Sequence, residues 1–324
     1  MRRSIRATRS RPLPDPVTEG LDQIRVGGKR ALARALTRIE AEPDAADTVA
    51  LLDAAYAAPR AQTIGLTGPP GVGKSTLTGA LITAWRGAGR TVGVIAVDPS
   101  SKISGGALLG DRTRLRTDPA DQGVFVRSMA ARDRLGGLAD LTVAALVLMR
   151  ALFDIVLVET VGVGQSETDV TSAVDTVVLC IQPGSGDALQ FMKAGIVEVP
   201  DIVAVTKTDM GATAAQAQAD LAAALDLRER APGDWRVAAL GVSALSGEGV
   251  GDLVGLIDRH FSHLAPMLAA HRHAQAEEWL VQAVRERWGR DGLARAGKMT
   301  LAAGESPFAA LGALRARLGS GGPG

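Results

Sequence analysis

Gly68-Pro-Pro-Gly-Val-Gly-Lys-Ser75 follows the pattern Gly-x4-Gly-Lys-[Ser/Thr], the phosphate-binding loop of nucleotide hydrolases and kinases. Glycines let the backbone wrap closely around phosphates with its N–H groups turned inward. Lys74 supplies a point charge for the β- and γ-phosphates, and the Ser75 hydroxyl is a ligand type for Mg²⁺. The flanks agree. Thr63-Ile-Gly-Leu-Thr67 reads as a short buried strand, and 75–85 reads as an amphipathic helix. Strand, glycine loop, then helix is the order that sets a helix N-terminus against a phosphate.

Outward from this loop the chain alternates. Apolar runs of strand length recur at 63–67, 91–97, 123–127, 154–159, 175–181, 201–206 and 236–242. Helical spacing lies between them at 74–86, 138–152, 187–195, 213–226 and 249–263. This predicts an α/β fold, a mainly parallel P-loop sheet with helices on both faces and ligands at the strand carboxyl ends. Before it, 17–40 and 45–57 read as an N-terminal helical extension; after Pro266, 267–290 and 307–318 read as C-terminal helices. These two are either packed on the core or a dimerisation arm, since an appended pair has little core of its own. The expected division is a flexible basic tail 1–16, a helical extension 17–58, a nucleotide domain 59–265, a C-terminal helical arm 266–318 and a flexible end 319–324.

Composition narrows the function classes. The 324 residues are 46% hydrophobic, enough for a sizeable core, and the net charge of +1 argues against bulk electrostatic binding of nucleic acid. The single cysteine, Cys180, excludes an intramolecular disulfide framework and fits a reducing compartment. It lies in the apolar run 176–181 and reads as a buried strand residue rather than a nucleophile. The longest apolar stretch, 138–158, is interrupted by Asp140, Arg150 and Asp154, so no membrane span is expected. The arginine-rich first eleven residues lack an apolar stretch behind them and are no secretory signal. They are a mitochondrial transit peptide or, as we read them, a disordered basic tail. An Ala-, Gly- and Arg-rich chain of this kind suits a bacterial cytoplasmic protein.

Four further segments stand where strands end. Asp98, opening Asp98-Pro-Ser-Ser101, can hold Mg²⁺ or its water shell, or cap a turn. Asp111 closes the glycine-flanked segment 104–114, which reads as a switch loop over the γ-phosphate or as a solvated loop. Glu159-Thr-Val-Gly162 places an acid at a strand end and a glycine three residues on, so that Gly162 N–H can meet the γ-phosphate while Glu159 orients metal-bound water. Thr206-Lys-Thr-Asp209 reads as a base-recognition segment. An Asp carboxylate can accept from guanine N1–H and N2–H₂, which adenine cannot offer, and the Lys207 stem can lie along the base. The usual first residue here is Asn, which braces the loop; Thr206 keeps only a hydroxyl. Ser243, Ala244 and Leu245, after the next strand, fit a supporting base loop.

Together these segments resemble the methylmalonyl-CoA mutase-associated GTPases, the MeaB/ArgK family of SIMIBI-type P-loop proteins. The resemblance rests on 65–76, Val97-Asp-Pro-Ser-Ser101, 105–114, Glu159-Thr-Val-Gly-Val-Gly-Gln-Ser-Glu167 and 182–190. It implies a GTPase chaperone that gates cobalamin loading of an adenosylcobalamin-dependent acyl-CoA mutase and helps eject damaged cofactor. It assigns GTP/GDP and Mg²⁺ to Gly68, Pro70, Gly71, Val72, Gly73, Lys74, Ser75 and Thr76. Asp98, Asp111 and Glu159 become metal and switch acids, while Lys207 and Asp209 read the base. It also implies that 182–193 signals nucleotide state to the mutase, that C-terminal helices form a homodimer, and that a cobalamin adenosyltransferase is a further partner. Thr206, Phe191 and Ala194 depart from the family pattern. Val163 stands where a water-positioning Gln often sits, with Gln165 two residues on, so slow intrinsic turnover stimulated by a partner is expected.

Two other readings stay open on sequence. An ATP-dependent small-molecule kinase would need an adenine site. A nickel metallochaperone GTPase would need a Cys-x-x-Cys, a Cys-Pro-x-Cys or a histidine-rich tract; here only His260, His263, His271 and His273 cluster.

Overall fold

The computed structural model describes residues 20–99, 117–131, 140–160, 172–184, 200–226, 231 and 233–319. All seven expected strands form: β1 (Gln62–Thr67), β2 (Val92–Pro99), β3 (Val124–Ala131), β4 (Ile155–Glu159), β5 (Thr176–Ile181), β6 (Ile202–Thr206) and β7 (Ala238–Val242). They make one parallel sheet in the order β3-β2-β4-β1-β5-β6-β7. β3 runs beyond the expected 127 because β2 pairs with it along its whole length, from Val92↔Val124 to Pro99↔Ala131. β1 lies between β4 and β5, which brings the ends of those strands beside the loop that leaves β1.

The strands read as continuous apolar runs because both sheet faces are covered. Alternation sorts their side chains. Ile64, Leu66, Val94, Leu157, Val178 and Cys180 join one core with Leu77, Leu81 and Trp85 of α3 (Lys74–Gly87) and Leu253 and Ile257 of a later helix. Ile95, Val97, Val156, Val158 and Val177 face the opposite core. That core is built from α1 (Leu21–Ala41), α2 (Ala46–Ala57) and α4 (Asp140–Arg150). A smaller cluster joins Leu179, Val203 and Val205 to Leu221 and Leu225 of α5 (Ala212–Asp226).

α6 (Val250–Leu264) carries Leu253 and Ile257 and leads into α7 (Leu268–Ala296), which breaks at Gly289, where φ is 65°. α8 (Pro307–Leu318) follows, started by Ser306, whose hydroxyl accepts from the Phe308 N–H. Trp279 of α7 and Phe308 of α8 pack at 4.9 Å between ring centroids. They belong to the same core as α1, α2 and α4, so the C-terminal helices bury their apolar faces on this chain's own N-terminal helices. The expected helix at 187–195 lies outside the described residues. No helix among the described residues is long and apolar enough to cross a membrane.

Candidate functional site

The site forms where β1 ends. Gly68 has φ 131°, Gly71 79° and Gly73 100°, conformations that side chains resist. At Gly68 there is a second reason: a Cβ would collide with the Cys180 carbonyl on neighbouring β5. These glycines turn the chain so that α3 begins at Lys74 with its N-terminus facing the loop. Lys74 is buried, and its ammonium donates to the Gly68 carbonyl at 2.7 Å and the Pro69 carbonyl at 3.1 Å. The cation is thus held inside the loop's curve, where a phosphate would meet it.

β4 delivers the acid. Glu159 is 6% exposed and accepts from Ser75 Oγ at 2.6 Å through Oε1 and from Thr78 Oγ1 at 2.9 Å through Oε2. Ser75 and Thr78 are three apart on α3 and share its face. Thr78 was missed by motif reading; helical spacing from Ser75 was the signal that could have found it. Thr160, next to Glu159, ties back to β1: its N–H donates to the Leu66 carbonyl at 3.1 Å. A serine oxygen and a carboxylate oxygen at 2.6 Å are hard ligands that fit Mg²⁺, which takes few protein ligands and completes its octahedron with phosphate and water. Among the described residues no group of three or more His, Cys, Asp or Glu could hold a metal. A site finished by substrate oxygens does not need one.

Asp98 is the penultimate residue of β2, with its backbone in register with Ala130 of β3; two residues earlier, Ala96 pairs with Glu159. It therefore lies at the same carboxyl end of the sheet as Glu159. Asp111 and Gly162 lie outside the described residues.

β6 supplies the base side. Thr206 is buried, and its hydroxyl lies 2.7 Å from the Val72 carbonyl and 3.1 Å from the Ile181 carbonyl. It joins the phosphate loop to the ends of β5 and β6. Among the described residues Lys207 is the one non-glycine with positive φ, at 58°. Such strain marks places where the surroundings dictate the conformation. Its ammonium donates to the Gly71 carbonyl at 3.1 Å and to Gln182 Oε1 at 2.6 Å. Gln182 opens the 182–193 loop, of which 185–193 lie outside the described residues. Sequence reading did not identify this link.

Asp209 is exposed at the rim, and its Oδ1 accepts from Ser243 Oγ at 2.9 Å. Ser243 is fully buried at the end of β7, so a fixed hydroxyl orients a solvent-facing carboxylate. Thr76, Lys207, Asp209, Ala244 and Leu245 line a cavity of about 100 Å³ beside the phosphate loop. Leu245 is 83% exposed there, an apolar side chain that a flat base would cover.

The remaining titratable groups play other parts. Burial pushes the Cys180 thiol up to about 12, against the pull of nearby Lys74, so it stays a protonated core residue. His260 is buried; its Nδ1 lies 2.8 Å from the Thr176 hydroxyl and its Nε2 3.3 Å from Asp201. His263 packs on Trp235, His271 sits by Val174 and Gln275, and His273 faces Glu277. Each histidine has its own structural neighbours.

Comparison with known proteins bears on the family. The profile of the family described as "Methylmalonyl Co-A mutase-associated GTPase MeaB" matches residues 32–294. A putative GTPase of Pyrococcus horikoshii is 40% identical over 268 residues, 81% of this chain and 84% of that protein. The mouse protein "Methylmalonic aciduria type A homolog, mitochondrial" is 40% identical over 229 residues, 69% of this chain and 55% of its own length. GTPase ArgK of Escherichia coli is 35% identical over 272 residues, 82% of each chain. Among solved structures, one titled "LAO/AO transport system kinase" aligns with a TM-score of 0.68 at 29% identity, covering 86% of both chains.

Proposed function

Because this chain belongs to the methylmalonyl-CoA mutase-associated GTPase family, we propose that it is a GTP-driven chaperone of an adenosylcobalamin-dependent acyl-CoA mutase. It gates cobalamin loading and protects or reactivates the loaded enzyme. The observation that carries this reading beyond GTP hydrolysis is the reach of Lys207. One side chain touches Gly71 of the phosphate loop and Gln182 at the root of the 182–193 loop, and it sits two residues before Asp209. Base, phosphate and signalling loop therefore share one connection.

The chemistry is GTP plus water to GDP plus phosphate. Phosphoryl transfer asks chiefly for positioning and neutralisation of spreading negative charge. Lys74 exchanges the Gly68 and Pro69 carbonyls for phosphate oxygens, so its charge arrives already desolvated and aimed. Backbone N–H groups of Gly71, Val72, Gly73, Lys74, Ser75 and Thr76 surround the same oxygens. Ser75 and Glu159 would hold Mg²⁺, and the family resemblance adds Asp98 and Asp111, the latter outside the described residues; the ion would neutralise phosphate charge when bound. Thr78 keeps Glu159 in place. Asp209, braced by Ser243, selects guanine, and the Lys207 stem and Leu245 flank the base. We further place the protein in the cytoplasm, consistent with its lone buried thiol, and assign the 266–318 helices to a homodimer contact. α7 packs its apolar stripe on α1, α2 and α4, so that contact would use the remaining faces of its 29 residues.

The test is to mix the purified protein with apo methylmalonyl-CoA mutase or isobutyryl-CoA mutase and measure GTP turnover and cobalamin loading. The expected result is turnover well below 1 s⁻¹ alone, stimulated at least about tenfold by one mutase, with GTP-dependent loading. Turnover unmoved by either mutase, with loading indifferent to nucleotide, contradicts the proposal.

A further inference from the structure

Among the described residues, no ion-pair partner meets the guanidinium of Arg150, the last residue of α4. It is 5% exposed, and its Nε–H is buried with no acceptor. Its close neighbours among the described residues do not neutralise it. The Tyr56 ring lies 5.9 Å from its Cζ, a cation–π contact. Arg272, on α7, is a second cation nearby and repels it. The carboxylate between them, Asp175, is already used: Arg272 grips both of its oxygens at 2.8 and 2.7 Å, and the Thr63 N–H donates to one of them at 2.8 Å. The cluster of Arg150, Arg272 and Asp175 therefore carries one positive charge in excess. Burial draws the Arg150 guanidinium down to about 10, still far above neutral, so it remains a cation.

Buried charge without a counter-charge is costly, and buried donors are normally satisfied. Here two orphan donors belong to residues that line one cavity. Tyr56, Arg150, Ser172, Arg272, Gln275 and Trp279 supply its polar wall, and the indole Nε1–H of Trp279 is also buried without an acceptor. The space is about 30 Å³, room for one or two water-sized groups. That is too small for a nucleotide or a peptide, and large enough for a halide or a one-carbon carboxylate. It lies between α2, α4 and α7, beyond the start of β5, away from the phosphate loop.

We propose that this cavity is a binding site for a small monovalent anion, held by Arg150 with the Trp279 N–H and fixing α7 to α2 and α4. The anion supplies the missing negative charge and accepts from the orphan donors. Its chemistry is shared by chloride and formate.

The experiment is thermal unfolding of the full chain at constant ionic strength, with sodium gluconate replaced stepwise by sodium chloride or, separately, sodium formate. The melting temperature should rise by several degrees and saturate with chloride, formate or both. Response to one alone identifies the source. Arg150→Met removes the buried charge with little change in volume. It should be at least as stable as the wild type in gluconate and should lose the saturable rise. Trp279→Phe keeps the ring and deletes one donor; it should shift the anion midpoint upward severalfold, and it serves should Arg150→Met not fold. Equal, non-saturating responses in wild type and in whichever variants fold overturn the proposal.

Discussion

Replacing Thr206 by Val removes one oxygen and almost no volume. That oxygen sits 2.7 Å from the Val72 carbonyl and 3.1 Å from the Ile181 carbonyl, at a position 4% exposed. A hydroxyl has one proton, so it serves these two acceptors in alternation; its loss leaves the buried Val72 carbonyl without this donor. Leaving such a group unsatisfied costs about 1–3 kcal/mol. If the phosphate loop carries that loss, GDP affinity falls roughly five- to a hundredfold, at about 1.4 kcal/mol per tenfold. The choice of guanine over adenine should not change, because Asp209 is untouched. Thr206→Asn offers two N–H donors, one for each carbonyl, and should bind GDP at least as tightly as the wild type. Calorimetric titration of GDP and ADP into the three proteins decides this. A Thr206→Val protein with wild-type GDP affinity, or one whose base preference moves, refutes the bracing argument.

Three further outcomes follow from the same geometry. Gly68→Ala puts a methyl into the Cys180 carbonyl at φ 131°, and should lower stability by about 3 kcal/mol or more in urea unfolding. Burial pushes the Asp175 carboxyl up, but the Arg272 guanidinium and the Thr63 N–H outweigh it and hold it below its ordinary value of 3.8. A carboxyl lowered on folding stabilises above its unfolded pKa and loses that contribution as pH falls through the folded one. Asp175→Asn should therefore be less stable at neutral pH and show a flatter loss of stability below about pH 4, measured by melts across pH. The Cys180 thiol, fully buried and pushed up to about 12, should resist a thiol reagent in the native protein and react only as the chain unfolds; rapid native labelling would contradict its placement.

Much of this architecture is legible in the sequence, for identifiable reasons. The strands are buried on both faces, so they appear as apolar runs such as Ile155-Val-Leu-Val158 that need no periodicity to be seen. The phosphate loop is legible because its geometry demands glycines at fixed spacing. What was not legible is the set of links between segments distant in sequence. The Lys207–Gln182 bond crosses 25 positions and depends on β5 and β6 being neighbours. The Ser243–Asp209 bond needs β7 beside β6. Ser243 is expected in the base loop from sequence; the structure adds its hydroxyl as the brace of Asp209. The packing of α7 and α8 was left open by their pattern, since an apolar stripe does not name what covers it. In the fold that stripe meets α2 and α4.

The most direct test is a base swap at one atom. Guanine and xanthine differ at C2, where an amino group becomes a carbonyl, so the acceptor oxygen that Asp209 presents can be matched by exchanging it for an amide. Nucleotide affinity should be measured for the wild type and Asp209→Asn with GDP and xanthosine diphosphate. The wild type is expected to prefer GDP and the variant xanthosine diphosphate, with Ser243 still holding the side chain in place. A variant that keeps the wild-type preference would show that the base lies elsewhere, and the arrangement of loop, brace and rim described above would not be the nucleotide site.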